Sequence, residues 1–421
     1  MRIRARRSLC AAIAVAAIAI SGCASSSSAN TTGGTSGGGT SSSNEVTAMM
    51  ITDVTDPGGT SLQYPINESM GQATADWINA NGGINGKKLN LIICDSQTDP
   101  NQTAACAREA VADHVVAVVG TYAANGAQIP PILQAANIPY MPSYPVAPAE
   151  FTSPISFPTT STPFILTGMG YIAGQECQHP TLLSYQQPST DFNDESINAG
   201  VVSEGKKLLQ TIVVPSNTTD YAPIAAQAIK GADCLIIYGT ATMSGGLLPA
   251  LQQAGATQRI IGFNSQTLGY PIDSISPKLT NNGIVVSIFP PYSQPIWNDY
   301  KEAGDKYGDP KKFDYQEFGA ELTYGNLLVF RKVLESIPSG TPITSASVLA
   351  QLKKSTAVST DGLFPPFDFT KQLPVKGFNQ MFDTSVTFSV VKGNTTVPMP
   401  GYTGFVNVGS IFIKGQAASQ G

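Results

Sequence analysis

The 421-residue sequence has few charged side chains and lacks the basic clusters that mark nucleic-acid-binding proteins. Only 13% of its residues are charged, and the net charge is −5. Four of the 24 basic residues are arginines within the first seven positions, so the remainder has 20 basic and 29 acidic residues, a charge of −9. This mildly acidic composition, without an RNA-binding aromatic motif, argues against a nucleic-acid partner.

Catalytic and nucleotide-binding signatures are also missing from the parts of the sequence that can fold. Neither a Walker motif nor G-x-G-x-x-G occurs. Residues 34–38 match the nucleophile pattern G-x-S-x-G, but they lie in a run of small polar residues without the strand and helix that position a serine. The only histidines, His114 and His179, lie beside predicted strands, where capping or hydration explains them. We therefore expect neither an enzyme nor a cofactor.

The first apolar run is too short for a membrane-spanning helix, which requires roughly 20 residues. It extends over 12 residues, from Leu9 to Ile20, and follows the arginine cluster, an order typical of a secretory signal. Residues 20–23, Ile-Ser-Gly-Cys, resemble the bacterial lipobox, in which cleavage before the cysteine exposes a thiol that receives diacylglycerol. This predicts a signal peptide at residues 1–22 and lipidation of Cys23. The alternative is a buried or stray cysteine.

The segment after Cys23 lacks the large apolar side chains that form a hydrophobic core. Residues 24–44 contain only Ser, Thr, Gly, Ala and Asn, which predicts a disordered tether over residues 23–44. As a random coil this tether would span about 25 Å. We therefore expect a soluble domain that a lipid anchors to the extracytoplasmic face of a bacterial cell membrane.

Four cysteines follow the tether, an even number that indicates disulfides in an oxidising compartment. Four cysteines allow three pairings, and order along the chain favours Cys94 with Cys106 and Cys177 with Cys234. A zinc site is the alternative. Because the sequence has only two histidines and no C-x-x-C spacing, we expect no metal.

The chain from Glu45 onward alternates short apolar runs with helical stretches, which predicts an α/β fold with parallel sheets covered on both faces. About 377 residues follow the tether, more than one hydrophobic core usually supports, so two lobes are expected. Ligands of such sheets bind beyond the carboxyl ends of the strands. Strands are predicted at residues 48–51, 89–94, 115–119, 181–185, 211–214, 234–238, 259–263 and 284–288.

The predicted helices separate most of these strands. The first carries Ile66, Met70, Ala73 and Trp77 on one face, and Gly82 and Gly83 end it. The tail from Asp361 loses helical spacing and predicts turns and antiparallel strands, including residues 386–391. The other helices are predicted from Asp99 onward and at residues 127–136, 194–209, 221–230, 246–253 and 316–337.

Three motifs in register resemble one known family. They are Trp77 to Gly86 (WINANGGING), Cys94 to Pro100 (CDSQTDP) and Val118-Val119-Gly120. Together they make residues 45 to about 415 similar to type 1 periplasmic binding proteins, specifically to the Leu/Ile/Val-binding family.

The resemblance implies two Rossmann-like lobes that close like a clamshell over a small ligand. Three crossovers are expected near residues 162, 289 and 365. Lobe 1 would comprise residues 45–162 plus 289–365, and lobe 2 residues 163–288 plus 366–421. Family members serve ABC importers as extracytoplasmic substrate-binding lipoproteins, so we expect a small-molecule ligand, an ABC permease as partner and a monomer. The alternative is a sensor that reports its ligand to a membrane receptor.

The family binds its ligand's carboxylate at the loop after the third strand, which here is Gly120 to Gly126. The resemblance therefore implies ligand contacts at Ala123, Ala124 and Asn125, with backbone amides directed at an anion. Ala124 stands where the family usually has a serine that grips the carboxylate. The alternative is a plain turn between strand and helix.

Four more positions correspond to the family's pocket. Tyr144 and Val146 align with an alanine and threonine pair that contacts the ligand from the first lobe. Tyr64 matches an aromatic wall, and Phe192 lies near the second-lobe tyrosine. Tyr64 and Phe192 could equally be core aromatics.

Two further positions depart from the family and bear on the ligand. Asn264 stands where amino-acid binders place a carboxylate against the ligand's ammonium, and Thr242 stands where the family has a ring that covers the ligand. A neutral amide does not compensate a buried ammonium, whose desolvation costs several kcal/mol. Among small polar ligands, amino acids included, the sequence favours an amide, a urea-like compound or a carboxylic acid without an α-ammonium.

Lipidation of Cys23 can be tested by Cys23→Ser. We expect the variant to leave the membrane fraction and to lack the acyl mass of the parent protein, measured by fractionation and mass spectrometry. A parent chain without acyl mass, together with a variant that stays in the membrane fraction with its N-terminus intact, would contradict the anchor.

Overall fold

Two β-sheets organise the chain in the computed structural model, which describes residues 44–59, 62–160, 162–187, 189–263, 277–309, 317–375, 377–393 and 395–419. The strands are β1 (Glu45–Thr52), β2 (Lys88–Asp95), β3 (Val118–Thr121), β4 (Tyr140–Pro142), β5 (Pro180–Tyr185), β6 (Gln210–Val214), β7 (Cys234–Tyr238), β8 (Arg259–Phe263), β9 (Ile284–Ser287), β10 (Ser385–Lys392), β11 (Thr395–Pro398) and β12 (Val406–Asn407). The first sheet has the order β2-β1-β3-β4. The second has the order β11-β10-β9-β8-β7-β5-β6, with β12 paired to β10.

Helices cover the strands and connect them. None of those within the described ranges combines the length and the apolar composition that crossing a bilayer requires. They are α1 (Pro65–Ala80), α2 (Pro100–Ala112), α3 (Ile129–Ala135), α4 (Pro148–Thr152), α5 (Thr162–Glu176), α6 (Thr190–Ser203), α7 (Ala222–Ala228), α8 (Ala241–Gln253), α9 (Pro277–Thr280), α10 (Asn298–Tyr307), α11 (Phe318–Glu335), α12 (Ser345–Leu352) and α13 (Gly409–Ser419).

The first sheet is parallel throughout, because helices return the chain to the same end between successive strands. β1 lies centrally, with Ile51 opposite Cys94 of β2 and Met49 opposite Val118 of β3. Although they come much later in the sequence, α10 and α11 pack against α1, and α11 also contacts β3 and β4. Residues 298–335 therefore complete the core around the first sheet.

The second sheet is mixed. β5 to β9 run parallel, whereas β10 pairs with β9 in the antiparallel direction, as predicted for residues 386–391. Helices α5 and α6 cross closely beside this sheet: a Cβ on Gly170 would lie 1.8 Å from the Ile197 carbonyl oxygen, and one on Gly200 would lie 2.2 Å from that of Thr167. Only glycine fits at these two crossing points.

Several predicted elements are confirmed within one or two residues. The face of α1 that carries Ile66, Met70, Ala73 and Trp77 is buried. Asp99 caps α2 as expected, because its carboxylate accepts hydrogen bonds from the amides of residues 101 and 102.

The prediction for the end of the tail is wrong, because residues 409–419 form helix α13. This segment lacks amphipathic spacing, and tertiary contacts decide its structure. Phe412 is fully buried, with ring centroids 5.3 Å from Phe164 and 5.2 Å from Phe378.

The structure contains the two expected disulfides. Cys94–Cys106 joins β2 to α2, and Cys177–Cys234 joins the end of α5 to β7. Cys177 and Cys234 also form, with Asp233, the one grouping of potential metal ligands within the described ranges. Because both sulfurs are bonded to each other, that grouping offers no thiolate to a metal.

A buried amide, that of Asn326 in α11, joins two strands of the first sheet to the segment that precedes α5. Its oxygen accepts from the Gly120 amide at 2.7 Å, and its nitrogen donates to the Met141 carbonyl at 3.0 Å and to Thr159 Oγ1 at 2.8 Å. Gly120 has a φ of +66°, which a side chain disfavours. Asn326 therefore fixes the point at which β3 turns into the following loop.

Replacement of Asn326 by leucine tests this role. Asn326→Leu removes the side-chain partner of the buried Gly120 amide, Met141 carbonyl and Thr159 hydroxyl, so we expect a loss of about 3 kcal/mol in the free energy of unfolding. Urea unfolding measures the loss, and the exposed Asn90→Leu is the matched control, expected to stay within about 0.5 kcal/mol of the parent. Equal midpoints for the two variants would contradict the assignment.

Candidate ligand-binding site

A cavity of about 360 Å³ lies where the carboxyl ends of strands from both sheets approach each other. Tyr122 follows β3 directly, and Tyr185 and Tyr238 are the last residues of β5 and β7. Its described lining comprises Leu62, Tyr64, Tyr122, Ala123, Ala124, Asn125, Ala127, Gln128, Tyr144, Val146, Ala147, Pro148, Phe151, Tyr185, Gln187, Ser189, Phe192, Tyr238, Gly239 and Thr240.

Stacked tyrosines form one wall of the cavity. The rings of Tyr64 and Tyr122 lie parallel, 4.3 Å between centroids and 17° between planes, and Tyr144 packs 4.7 Å from Tyr122. Burial raises the pKa of the Tyr64 phenol far above its usual value, so the ring stays neutral. This wall offers aromatic faces and uncharged hydroxyl groups.

Another part of the lining combines a hydrogen-bonded tyrosine with phenylalanines. Gln187 Nε2 donates to the Tyr238 hydroxyl at 3.2 Å, and burial raises the pKa of Tyr238. Phe192 in α6 stacks on Phe151 in α4, with ring centroids 6.0 Å apart, and both rings contact Phe378. These rings therefore link α4, which follows β4 of the first sheet, to α6, which follows β5 of the second sheet.

The loop after β3 differs from its expected role as an open anion site. The Ala124 amide donates at 2.7 Å to Oδ2 of Asp53, a buried carboxylate directly after β1. The Asn125 side chain donates to the Thr98 carbonyl at 2.9 Å. The helix that follows, α3, has only seven residues and begins at Ile129. An internal acid therefore already pairs with one of the backbone amides, that of Ala124, which the family resemblance assigned to a ligand carboxylate.

Asp53 is held by three donors. Besides the Ala124 amide, Ser96 Oγ donates to Asp53 Oδ1 at 2.6 Å and the Thr98 amide does so at 3.0 Å. Burial raises the pKa of Asp53, and these hydrogen bonds oppose that rise because they favour the ionised form. The carboxylate is thus bound into the wall as part of the fold.

A second buried acid, Glu150, supports the neighbouring loop. Its Oε2 accepts from the amides of Val146 and Ala147 at 2.9 and 3.0 Å, and Tyr140 donates its hydroxyl to Oε1 at 2.7 Å. A Cβ on Gly126 would lie 2.5 Å from this carboxyl group. Burial raises the pKa of Glu150 to about 7, against the opposing effect of the three donors.

Seven of the predicted site residues line this one cavity: Tyr64, Ala123, Ala124, Asn125, Tyr144, Val146 and Phe192. Thr242 does not, because it is exposed in the first turn of α8, whereas Thr240, which caps that helix, lines the cavity. Asn264 and Cys23 lie outside the described residues.

Sequence reasoning missed the aromatic residues Tyr122, Tyr185 and Tyr238. A positional signal existed, because each lies at or just past the carboxyl end of a strand, where ligands of α/β sheets bind. Phe151 had no such signal, since it lies in the short helix α4 that the sequence did not predict.

Two α/β parts that share a cavity at the carboxyl ends of their strands define a two-lobe binding-protein fold. Residues 50–392 match the model of the periplasmic binding protein family, and the chain belongs to that family. It is a family of binding proteins rather than enzymes. No curated protein matches the sequence.

Solved structures with the type 1 clamshell fold superpose on most of the chain. A valine-bound branched-chain amino acid ABC transporter protein from Thermus thermophilus has a TM-score of 0.72 at 17% identity, covering 88% of this chain and 98% of its own. A fatty acid ABC transporter substrate-binding protein from Thermomonospora curvata has a TM-score of 0.69 at 15% identity, covering 87% and 94%.

A third similar structure holds an aromatic ligand. It is the solute-binding protein of an ABC transporter from Rhodopseudomonas palustris BisB5 in complex with 3,4-dihydroxybenzoic acid, with a TM-score of 0.67 at 16% identity, covering 86% of this chain and 98% of its own. At such identities these likenesses establish the fold of this chain and not its ligand.

The raised pKa of Glu150 predicts a pH-dependent stability. The folded-state pKa of about 7 exceeds the ordinary 4.5, so the folded state binds the proton more tightly, and ionisation destabilises it as pH rises between these values. We expect the free energy of unfolding of the parent to fall relative to Glu150→Gln by up to about 3 kcal/mol across this window.

Urea unfolding at a series of pH values measures this difference. The exposed Glu195→Gln in α6 is the matched control and should keep the parent profile. Parallel profiles for the parent and Glu150→Gln would contradict the raised pKa.

Proposed function

We propose that this protein is the extracytoplasmic substrate-binding lipoprotein of an ABC importer, which captures a small molecule between two lobes and delivers it to a permease. The observation that carries the proposal is the cavity at the carboxyl ends of strands from both sheets. Its volume of about 360 Å³ falls in the range of small-molecule sites.

The proposed ligand contacts are the seven cavity residues that family resemblance selected. They belong to four separate stretches of chain, which is typical of a site that folding assembles. The similar structures support a transport role, since their descriptions name ABC transporters with fatty acid, valine or dihydroxybenzoic acid as ligands.

The proposed lobes are residues 45–162 plus 289–365 and residues 163–288 plus 366–421. The strand pairing supports this division, since strands within residues 45–142 form one sheet and strands within residues 180–407 form the other. Both disulfides join residues of the same lobe under this division, so neither would restrain a hinge.

The proposed ligand has an aromatic or apolar body with few polar groups. Seven aromatic side chains line the cavity, and none of its described lining residues carries a charge. An α-amino acid brings a carboxylate and an ammonium, each of which needs a partner when buried. We therefore expect leucine, isoleucine and valine to bind weakly.

A thermal-shift screen of the mature domain against amino acids, amides, ureas, phenols and small organic acids tests the proposal. A ligand at 100 times its Kd stabilises the protein by about 2.7 kcal/mol. We expect uncharged aromatic compounds to give the largest shifts. Tyr64→Leu should weaken the best ligand about three- to ten-fold, because it removes a stacking face.

Tyr307→Leu is the control for loss of a tyrosine, since Tyr307 is 37% exposed in α10 and does not line the cavity. The affinity of Tyr307→Leu for the best ligand should equal that of the parent. A screen without any stabilising small molecule would contradict the binding role, and equal losses in the two variants would contradict the site.

A further inference from the structure

We propose that Asp53 makes the cavity selective against ligands that carry a carboxylate, so that the substrate is an uncharged compound with an aromatic body. The proposal rests on the binding function given above and names the chemistry of that same site. It concerns a residue that does not line the cavity and acts through one that does.

The first step is that Asp53 already accepts a hydrogen bond from a backbone amide of the cavity wall. Its Oδ2 lies 2.7 Å from the Ala124 nitrogen, and only 1% of the residue is exposed. A hydrogen bond between an amide and a carboxylate is among the stronger ones in proteins. A ligand carboxylate could take the Ala124 amide only by displacing this bond.

The second step is repulsion. A carboxylate bound near Ala124 would place a second negative charge beside Asp53, of which only 1% is exposed, and charges interact more strongly with a buried group than in water. Ser96 Oγ and the Thr98 amide hold Asp53 in place, so it cannot turn away without losing these bonds. A neutral ligand group avoids both costs.

The third step is that the rest of the wall does not compensate. Glu150 holds the amides of Val146 and Ala147, so internal acids take three backbone donors of cavity residues. The described lining contains no lysine, arginine or histidine. The polar groups that face the cavity are amides and hydroxyls, such as those of Gln187 and Tyr238, which suit uncharged donors and acceptors.

The test uses matched pairs of probes that differ only in charge: phenylacetamide with phenylacetate, and 4-hydroxybenzamide with 4-hydroxybenzoate. Isothermal titration calorimetry at pH 7.5 gives Kd for each. For the parent we expect each amide to bind at least about ten-fold more tightly than its acid. For Asp53→Asn, which removes the charge and keeps an acceptor, we expect this ratio to fall about ten-fold or more.

Asp95→Asn is the matched control. Asp95 ends β2 close to Asp53, but its carboxylate bonds to residues 54, 55 and 97, none of which lines the cavity. This variant should keep the parent ratio. Asp53→Ser serves as a second neutral variant, and thermal unfolding verifies that each variant is folded.

The outcomes separate this inference from the proposed function. Acids that bind the parent as tightly as their amides would overturn the selectivity, and an unchanged ratio in a folded Asp53 variant would overturn the role of Asp53. If both amides fail to bind while the wider screen yields an anionic ligand, the selectivity is overturned and the binding function stands. If no small molecule of any class binds, the binding function is overturned as well.

Discussion

The cavity depends on one buried amide, because Asn326 fixes the ends of the strands from which the first-sheet side of the cavity extends. Its hydrogen bonds reach Gly120 at the end of β3, Met141 in β4 and Thr159. Tyr122 and Ala124 follow the first of these points, and Tyr144 and Val146 follow the second. Asn326, which positions both loops, lies 206 residues after Gly120 and 185 residues after Met141. Its burial is tolerated because its amide oxygen and its amide nitrogen are both hydrogen-bonded.

Two buried acids then determine what these loops present to a ligand. Asp53 and Glu150 accept hydrogen bonds from the backbone amides of three cavity residues, Ala124, Val146 and Ala147, so these donors are paired within the protein. The acids cost desolvation energy, which their hydrogen bonds offset in part, as the opposing effects on both pKa values indicate. What remains toward the cavity is a surface of rings, methyl groups and neutral polar groups.

The sequence was sufficient for the fold and for much of the cavity wall, because local patterns and motifs carry that information. The buried face of α1, the Asp99 cap and the alternation of strands and helices along the chain follow from local residue patterns. The partner of the Ala124 amide does not, since Asp53 lies 71 residues away and nothing near Ala124 signals it. The prediction for residues 409–419 was wrong for the same reason, because helix α13 forms where rings distant in the sequence surround Phe412. Long-range contacts override local preference at these positions.

Tryptophan and the cavity tyrosines lie in different parts of the protein, so their optical signals report on different regions. Five tyrosines line the cavity, whereas both tryptophans lie elsewhere, Trp77 in α1 and Trp297 fully buried just before α10. Tryptophan emission therefore reports on the scaffold around α1, α10 and α11, whereas five of the 15 tyrosines contribute an absorbance signal that is sensitive to the cavity. A compound that enters the cavity should perturb the second signal and leave the first nearly constant, so that occupancy and unfolding can be followed separately in one sample without a label.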